Sequence, residues 1–251
     1  TVKLDLLRLG TCSVMARIAQ VTGESDELIN FHSEKIIYDA LQDLKANYSI
    51  FQLEGGCAYR VSQKIKPNDL NDLSAVLALA RPGGLSFVDK FAENKCESVH
   101  PIVDDVLAET RGICVYQEQV MGMFNKIGFS LEEGELIRRC IGKKDLVKIK
   151  DWKVKIYDKC VESKLPRELG DLIWKIVSDS AKYQFGKGHS ASYSAIAAIL
   201  LYYKQKYPTE FYWSCLVETK NKPNPLERID KISKEMLIYG IKLLPPDLFK
   251  S

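Results

Sequence analysis

The chain has 251 residues, of which 46% are hydrophobic, 27% charged and 10% aromatic; this excludes disorder as its main state and allows a sizeable core without disulfides or a structural metal. Formal net charge is only +3, yet Arg138 to Lys159 carries nine bases against three acids, so that this segment is +6 and the remainder −3. Seven cysteines without a CxxC pair and only three histidines (His32, His100, His189) argue for a reducing, cytoplasmic compartment and against a zinc site.

The first ten residues lack a signal-peptide core, and the longest apolar stretch, Ala191 to Tyr203, is too short to cross a membrane. Absence of an initiator Met before Thr1 suggests a piece of a longer protein. Helical periodicity dominates. Asn68 can cap a helix with Leu70, Leu73 and Leu77 on one face, stopped at Pro82 because the residue before proline disfavours helical backbone. Ile113 to Tyr116 reads as a short extended piece. Tyr116 to Met121 opens a helix, where Glu118 suits the helix dipole. Ser130 and Glu133 form a capping box for a helix carrying Leu136, Ile137 and Cys140. Asn224-Pro225 opens a last helix that Gly240 closes, and Leu244-Pro245-Pro246-Asp247 cannot continue it. The expected fold is mainly α, many helices with few short strands, in one compact array of two lobes.

Four clusters could carry chemistry. Asp5, set among apolar residues of Val2 to Leu7, is either a strand-end or helix-capping carboxylate or one of several ligands for Mg²⁺ in phosphate chemistry. Arg81-Pro82-Gly83-Gly84 puts a guanidinium beside a rigid turn where backbone could approach a ligand, though on these four residues a plain helix-ending loop is the better explanation. Arg138-Arg139 with Gly142-Lys143-Lys144 is a solvated basic face or a binder of polyphosphate or nucleic-acid backbone. Phe185 to Tyr193, FGKGHSASY, gathers Lys187, His189 and Ser190 where a helix begins, which suits an anion. It lacks the GxxxxGK[ST] spacing of a Walker A loop, and Ser190 could simply be the N-cap.

Taken in order, VKLDLLRLG (Val2 to Gly10), FQLEG (Phe51 to Gly55), ALARPGG (Ala78 to Gly84), GICVYQEQVM (Gly112 to Met121), LIRRCIGKK (Leu136 to Lys144), FGKGHSASY, YPTEF (Tyr207 to Phe211) and KLLPPD (Lys242 to Asp247) resemble the alpha subunit family of bacterial DNA polymerase III, the replicative C-family DNA polymerases. The resemblance implies a fingers domain of many helices over 13–241, a last palm segment over 1–12, and the start of a connection to clamp-binding and DNA-binding modules over 242–251. It implies Asp5 as the third catalytic palm aspartate and Mg²⁺ ligand, with the other two outside this chain. Arg81, Arg138, Arg139, Lys143, Lys144, Lys187 and His189 become nucleotide or phosphate contacts, with Tyr193 near base or sugar, and Lys148, Lys150, Lys153 and Lys155 contacts to DNA backbone.

The implied reaction is DNA-directed DNA synthesis from deoxynucleoside triphosphates on template-primer DNA, with the fragment alone inactive. A sliding clamp and other replisome proteins are implied as partners through regions beyond this chain, and a membrane is not. The chain departs from the family's usual RPGP at Gly84, from FNKSHS at Gly186 and Gly188, and from Gly at Arg8. A helical DNA-binding module or a nucleotide-binding regulator are the competing readings; neither uses both the basic segment and the glycine-flanked lysine.

Overall fold

The computed structural model describes residues 9–25, 29–143, 146–181 and 184–245. Its elements are the helices α1 (Gly10–Thr22), α2 (Lys35–Gln42), α3 (Gly56–Ile65), α4 (Leu70–Leu79), α5 (Val88–Ala92), α6 (Asp104–Leu107), α7 (Gln117–Lys126), α8 (Leu131–Lys143), α9 (Leu146–Glu162), α10 (Arg167–Ser180), α11 (Lys187–Lys206), α12 (Pro208–Thr219) and α13 (Pro225–Ile238). The fold is therefore mainly α, as expected. The extended piece at Ile113 to Tyr116 reduces, among the described residues, to one parallel bridge between Tyr116 and Phe185. No described helix is long and apolar enough to cross a membrane.

Two compact units divide the chain: Thr1–Leu70 with Tyr193–Ser251, and Asn71–Ser192. In the first, α12 packs on α1 and α13. Ser214 Oγ donates to the Val14 carbonyl at 3.0 Å, and Arg17 pairs with Glu218 at 2.7 Å. A buried ion pair joins Lys204 of α11 to Glu235 of α13 at 2.6 Å. Lys204 also donates to the Ala46 carbonyl at 2.8 Å, while Glu235 accepts from Tyr212 Oη at 3.0 Å and from the Ser49 amide at 3.2 Å. Burial pushes Lys204 below its usual range against the upward pull of Glu235. A buried pair survives when its remaining hydrogen-bonding capacity is satisfied in this way.

The second unit is built on α7 to α10. Val120, Met123 and Phe124 of α7, Ile137 and Ile141 of α8, Ile156 and Cys160 of α9, and Leu169, Ile173 and Val177 of α10 share one core. Two glycines set the helix spacing. A Cβ at Gly134 would stand 3.1 Å from the Met121 Cα, and one at Gly170 would stand 3.0 Å from Ile156 and 3.1 Å from the Cys160 sulfur, so both positions require close approach.

Local signals placed several helix ends. Ser130 and Glu133 make the reciprocal capping box, with the Ser130 amide donating to Glu133 at 2.9 Å and the Glu133 amide to Ser130 Oγ at 3.2 Å. Leu136 of that helix is exposed, and Ile137, Cys140 and Ile141 are buried. Helix α13 starts at Pro225 and is followed by Gly240 at φ +74°. α4 ends at Leu79, before the Arg81-Pro82 pair. It is not one-sided, since every residue from Asp72 to Leu79 is buried, as for a helix inside a core rather than on its surface. Asp72 tolerates this because Arg111 pairs with it at 2.5 Å. Asn68 precedes the helix by two residues, and its Oδ1 accepts from Gln42. All seven cysteines are free thiols.

Candidate phosphate-binding site

The glycine-flanked lysine loop lies against the start of α7. Phe185 donates its amide to the Val115 carbonyl at 3.0 Å, and its carbonyl accepts from the Gln117 amide at 2.9 Å. Gln119 holds the other side of this turn. Its Oε1 accepts from the amides of Val115 and Tyr116 at 2.8 and 2.9 Å, and its Nε2 donates to Thr110 Oγ1 at 2.6 Å. Beneath the loop, Tyr116 Oη donates to Ser74 Oγ at 2.9 Å, and Ser190 Oγ donates to the Ser74 carbonyl at 2.7 Å. Burial, ahead of the nearby carboxylates Glu109, Glu118 and Asp72, raises the Tyr116 phenol well above its usual range, so it stays a neutral donor.

Ser190 is thus not the N-cap. It is the fourth residue of α11, fully buried, and ties that helix to the carbonyl of a residue 116 positions away. The first turn instead receives a carboxylate from α7: both oxygens of Glu118 accept from the Lys187 amide, at 3.0 and 2.9 Å. An anion does sit at this helix N-terminus, and it belongs to the protein.

Three predicted residues, Arg81, Lys187 and His189, meet here. The Arg81 guanidinium lies over the Phe185 ring, 3.9 Å from its centroid. His189 meets the same ring edge-on at 5.3 Å. Lys187 Nζ pairs with Glu109 at 2.6 Å. Arg138, on α8, pairs with Glu135 at 2.6 Å and also feels the charge of Glu118. Arg139 shares Glu135, again at 2.6 Å. Hydrogen bonds from Arg138 first and then Arg139 hold the Glu135 carboxyl down at about 2. Lys187, Arg138 and Arg139 therefore already hold carboxylates.

The other predicted residues stand elsewhere. Lys143 is exposed in the last turn of α8, where a cation suits the helix dipole. Lys148, Lys150, Lys153 and Lys155 follow on α9; Lys153 lies 5.4 Å over Trp174 and Lys155 4.6 Å over Trp152, a mostly solvated basic face. Tyr193 falls in the first unit, with its ring edge-on to Phe51 at 5.0 Å. Asp5 and Lys144 lie outside the described residues. Among the described residues no group of three or more His, Cys, Asp or Glu side chains could hold a metal ion; the Mg²⁺ site expected on Asp5 lies outside them.

The glycines of the two departing motifs differ in what the fold asks of them. A Cβ at Gly84 would stand 2.7 Å from the Leu79 carbonyl oxygen, so the turn after Arg81 closes on the end of α4. Neither Gly186 nor Gly188 has positive φ, and a Cβ at Gly188 meets nothing within 4 Å. Nothing in the fold demands glycine there. Sequence reading missed Glu109, Ser74 and Gln119, and took Glu118 as a partner of its own helix dipole. The one available signal was the density of polar residues in Tyr116-Gln117-Glu118-Gln119.

A family model for the bacterial DNA polymerase III alpha subunit finger domain matches residues 14–164. The chain is 33% identical over its whole length to DNA polymerase III subunit alpha of Halalkalibacterium halodurans, 34% identical over 99% of its length to that of Aquifex aeolicus, and 33% identical over its whole length to that of Campylobacter jejuni. It spans 23%, 22% and 22% of those relatives. With a family model over more than half its residues and relatives matched from end to end, the chain belongs to the bacterial DNA polymerase III alpha subunit family, through its finger domain.

Proposed function

We propose that this chain is the fingers part of a DNA-directed DNA polymerase and binds the incoming deoxynucleoside triphosphate and template-primer DNA. In the reaction a primer 3′-hydroxyl attacks the α-phosphate and releases pyrophosphate. Arg81, Arg138, Lys187 and His189 face the triphosphate, Arg139, Lys143 and Lys144 extend that cationic surface, and Tyr193 serves base or sugar. The α9 lysines Lys148, Lys150, Lys153 and Lys155 neutralise DNA backbone, without reading sequence. Asp5 is kept as the palm carboxylate for Mg²⁺, in a cytoplasmic enzyme whose clamp and replisome contacts lie outside this chain.

One observation carries the reading: the Arg81 guanidinium, distant in sequence, stacks on Phe185 of the loop that carries Lys187 and His189. Energetics favour exchange. An exposed lysine–carboxylate pair is worth about 0–1 kcal/mol, whereas a charge-assisted hydrogen bond to phosphate is worth about 1.5–3 kcal/mol. Lys187 can therefore leave Glu109 for a triphosphate at a net gain. Lys187→Ala and Arg138→Ala in the complete subunit should each raise the KM for nucleotide roughly tenfold to a hundredfold. Steady-state primer extension measures it, and unchanged KM in both variants would refute the reading. The isolated chain should not extend a primer, since it offers Asp5 without the other palm aspartates.

A further inference from the structure

We propose that Glu118 is a positioning residue for nucleotide binding: it fixes the start of α11, and with it Lys187 and His189, against the start of α7. The inference rests on the nucleotide reading above.

Glu118 is exposed and second in α7, where a carboxylate needs no partner beyond its own helix dipole. It nevertheless turns both oxygens to a single amide 69 residues away, that of Lys187. That bond is the last rung of a short ladder. Phe185 to Val115 and Gln117 to Phe185 are its backbone rungs, at 3.0 and 2.9 Å, and Glu118 adds a charge-assisted one just where α11 begins. Without it, the two glycines beside Lys187 leave little to define where the lysine starts its helix. Buried hydroxyls set the depth of the same helix, through Ser190 on the Ser74 carbonyl. Glu118 sets its near end.

Two consequences follow for the site. The Lys187 amide is taken, so its contribution to phosphate comes from the side chain rather than from that backbone donor. Glu118 also adds its negative charge to the surroundings of Arg138 of α8. Such a residue acts through others; it touches no reacting atom.

The test separates position from charge in the complete subunit. Glu118→Gln keeps an acceptor of the same reach, while Glu118→Asp keeps the charge but draws it back by one methylene. Expected is a rise in nucleotide KM of about tenfold for Asp and less than about threefold for Gln, with kcat within about twofold for both. A Gln variant as impaired as Asp, or more so, overturns the proposal, and so does a lowered melting temperature in either variant with KM unchanged. Lys187→Ala and Arg138→Ala run alongside. If neither raises KM, the nucleotide reading itself fails and the inference falls with it. If they raise KM and Glu118→Asp does not, positioning alone fails.

Discussion

Two lysine–glutamate pairs in this chain have the same length and opposite characters. Lys204–Glu235 and Lys187–Glu109 both close to 2.6 Å. The side chains of the first are 3% and 2% exposed, those of the second 42% and 30%. The buried pair is locked by the Ala46 carbonyl, the Tyr212 hydroxyl and the Ser49 amide; breaking it would strand a charge away from water. The exposed pair has water as an alternative partner, and so can give its lysine to another anion. Distance alone does not distinguish a structural pair from an exchangeable one. Burial does.

The largest effect expected of this comparison is on the buried side. Glu235→Ala should cost the chain about 3–5 kcal/mol, the usual penalty for leaving one member of a buried pair unpaired. Denaturant unfolding measures it, and a loss below about 1 kcal/mol would place the pair with the exposed ones. A milder effect appears in acid. Glu135 is held at about 2 by Arg138 and Arg139, against 4.5 for a free glutamate. Its folded value is depressed, so it adds stability above about pH 4.5 that fades as pH falls through about 2. Carboxylate titration by NMR checks this, and a midpoint near 4.5 would show that the two arginines do not hold Glu135. Smaller still is the gain at Gly188. Since a Cβ there meets nothing within 4 Å, Gly188→Ala should stabilise the chain by up to about 0.5–1 kcal/mol, and a lower melting temperature would show that the backbone needs glycine.

Legibility in the sequence followed the range of the interaction. The Ser130 and Glu133 capping box and the Asn224-Pro225 start of α13 were readable because their chemistry closes within a few residues. The stop of α4 before Pro82 was readable for the same reason. Ser190 was misread because a serine beside a glycine-rich turn has the composition of an N-cap, while its actual partner, the Ser74 carbonyl, lies 116 residues away. The extended reading of Ile113 to Tyr116 holds at Tyr116, whose one bridge among the described residues is to the distant Phe185. The face of Leu70, Leu73 and Leu77 says nothing of the rest of α4, where Asp72 is buried because the distant Arg111 pairs with it. In the candidate site the cations were visible as basic residues near glycines, and Arg81 does stack on the loop that carries Lys187 and His189. The acids that hold them, Glu109, Glu118 and Glu135, carried no comparable signal. Their partners are set by tertiary packing, or, for Glu135, by an ordinary helical spacing that could equally decorate any solvated helix.

The central claim is that the exposed pair is exchangeable, and Glu109→Gln tests it most directly. In the complete subunit this change frees Lys187 without removing it, so nucleotide KM should fall by about twofold to fivefold, the range of an exposed ion pair. In a Lys187→Ala background the same change should have no effect. A KM that stays constant or rises in the Glu109→Gln single variant would contradict the account and make Lys187–Glu109 a structural pair like Lys204–Glu235.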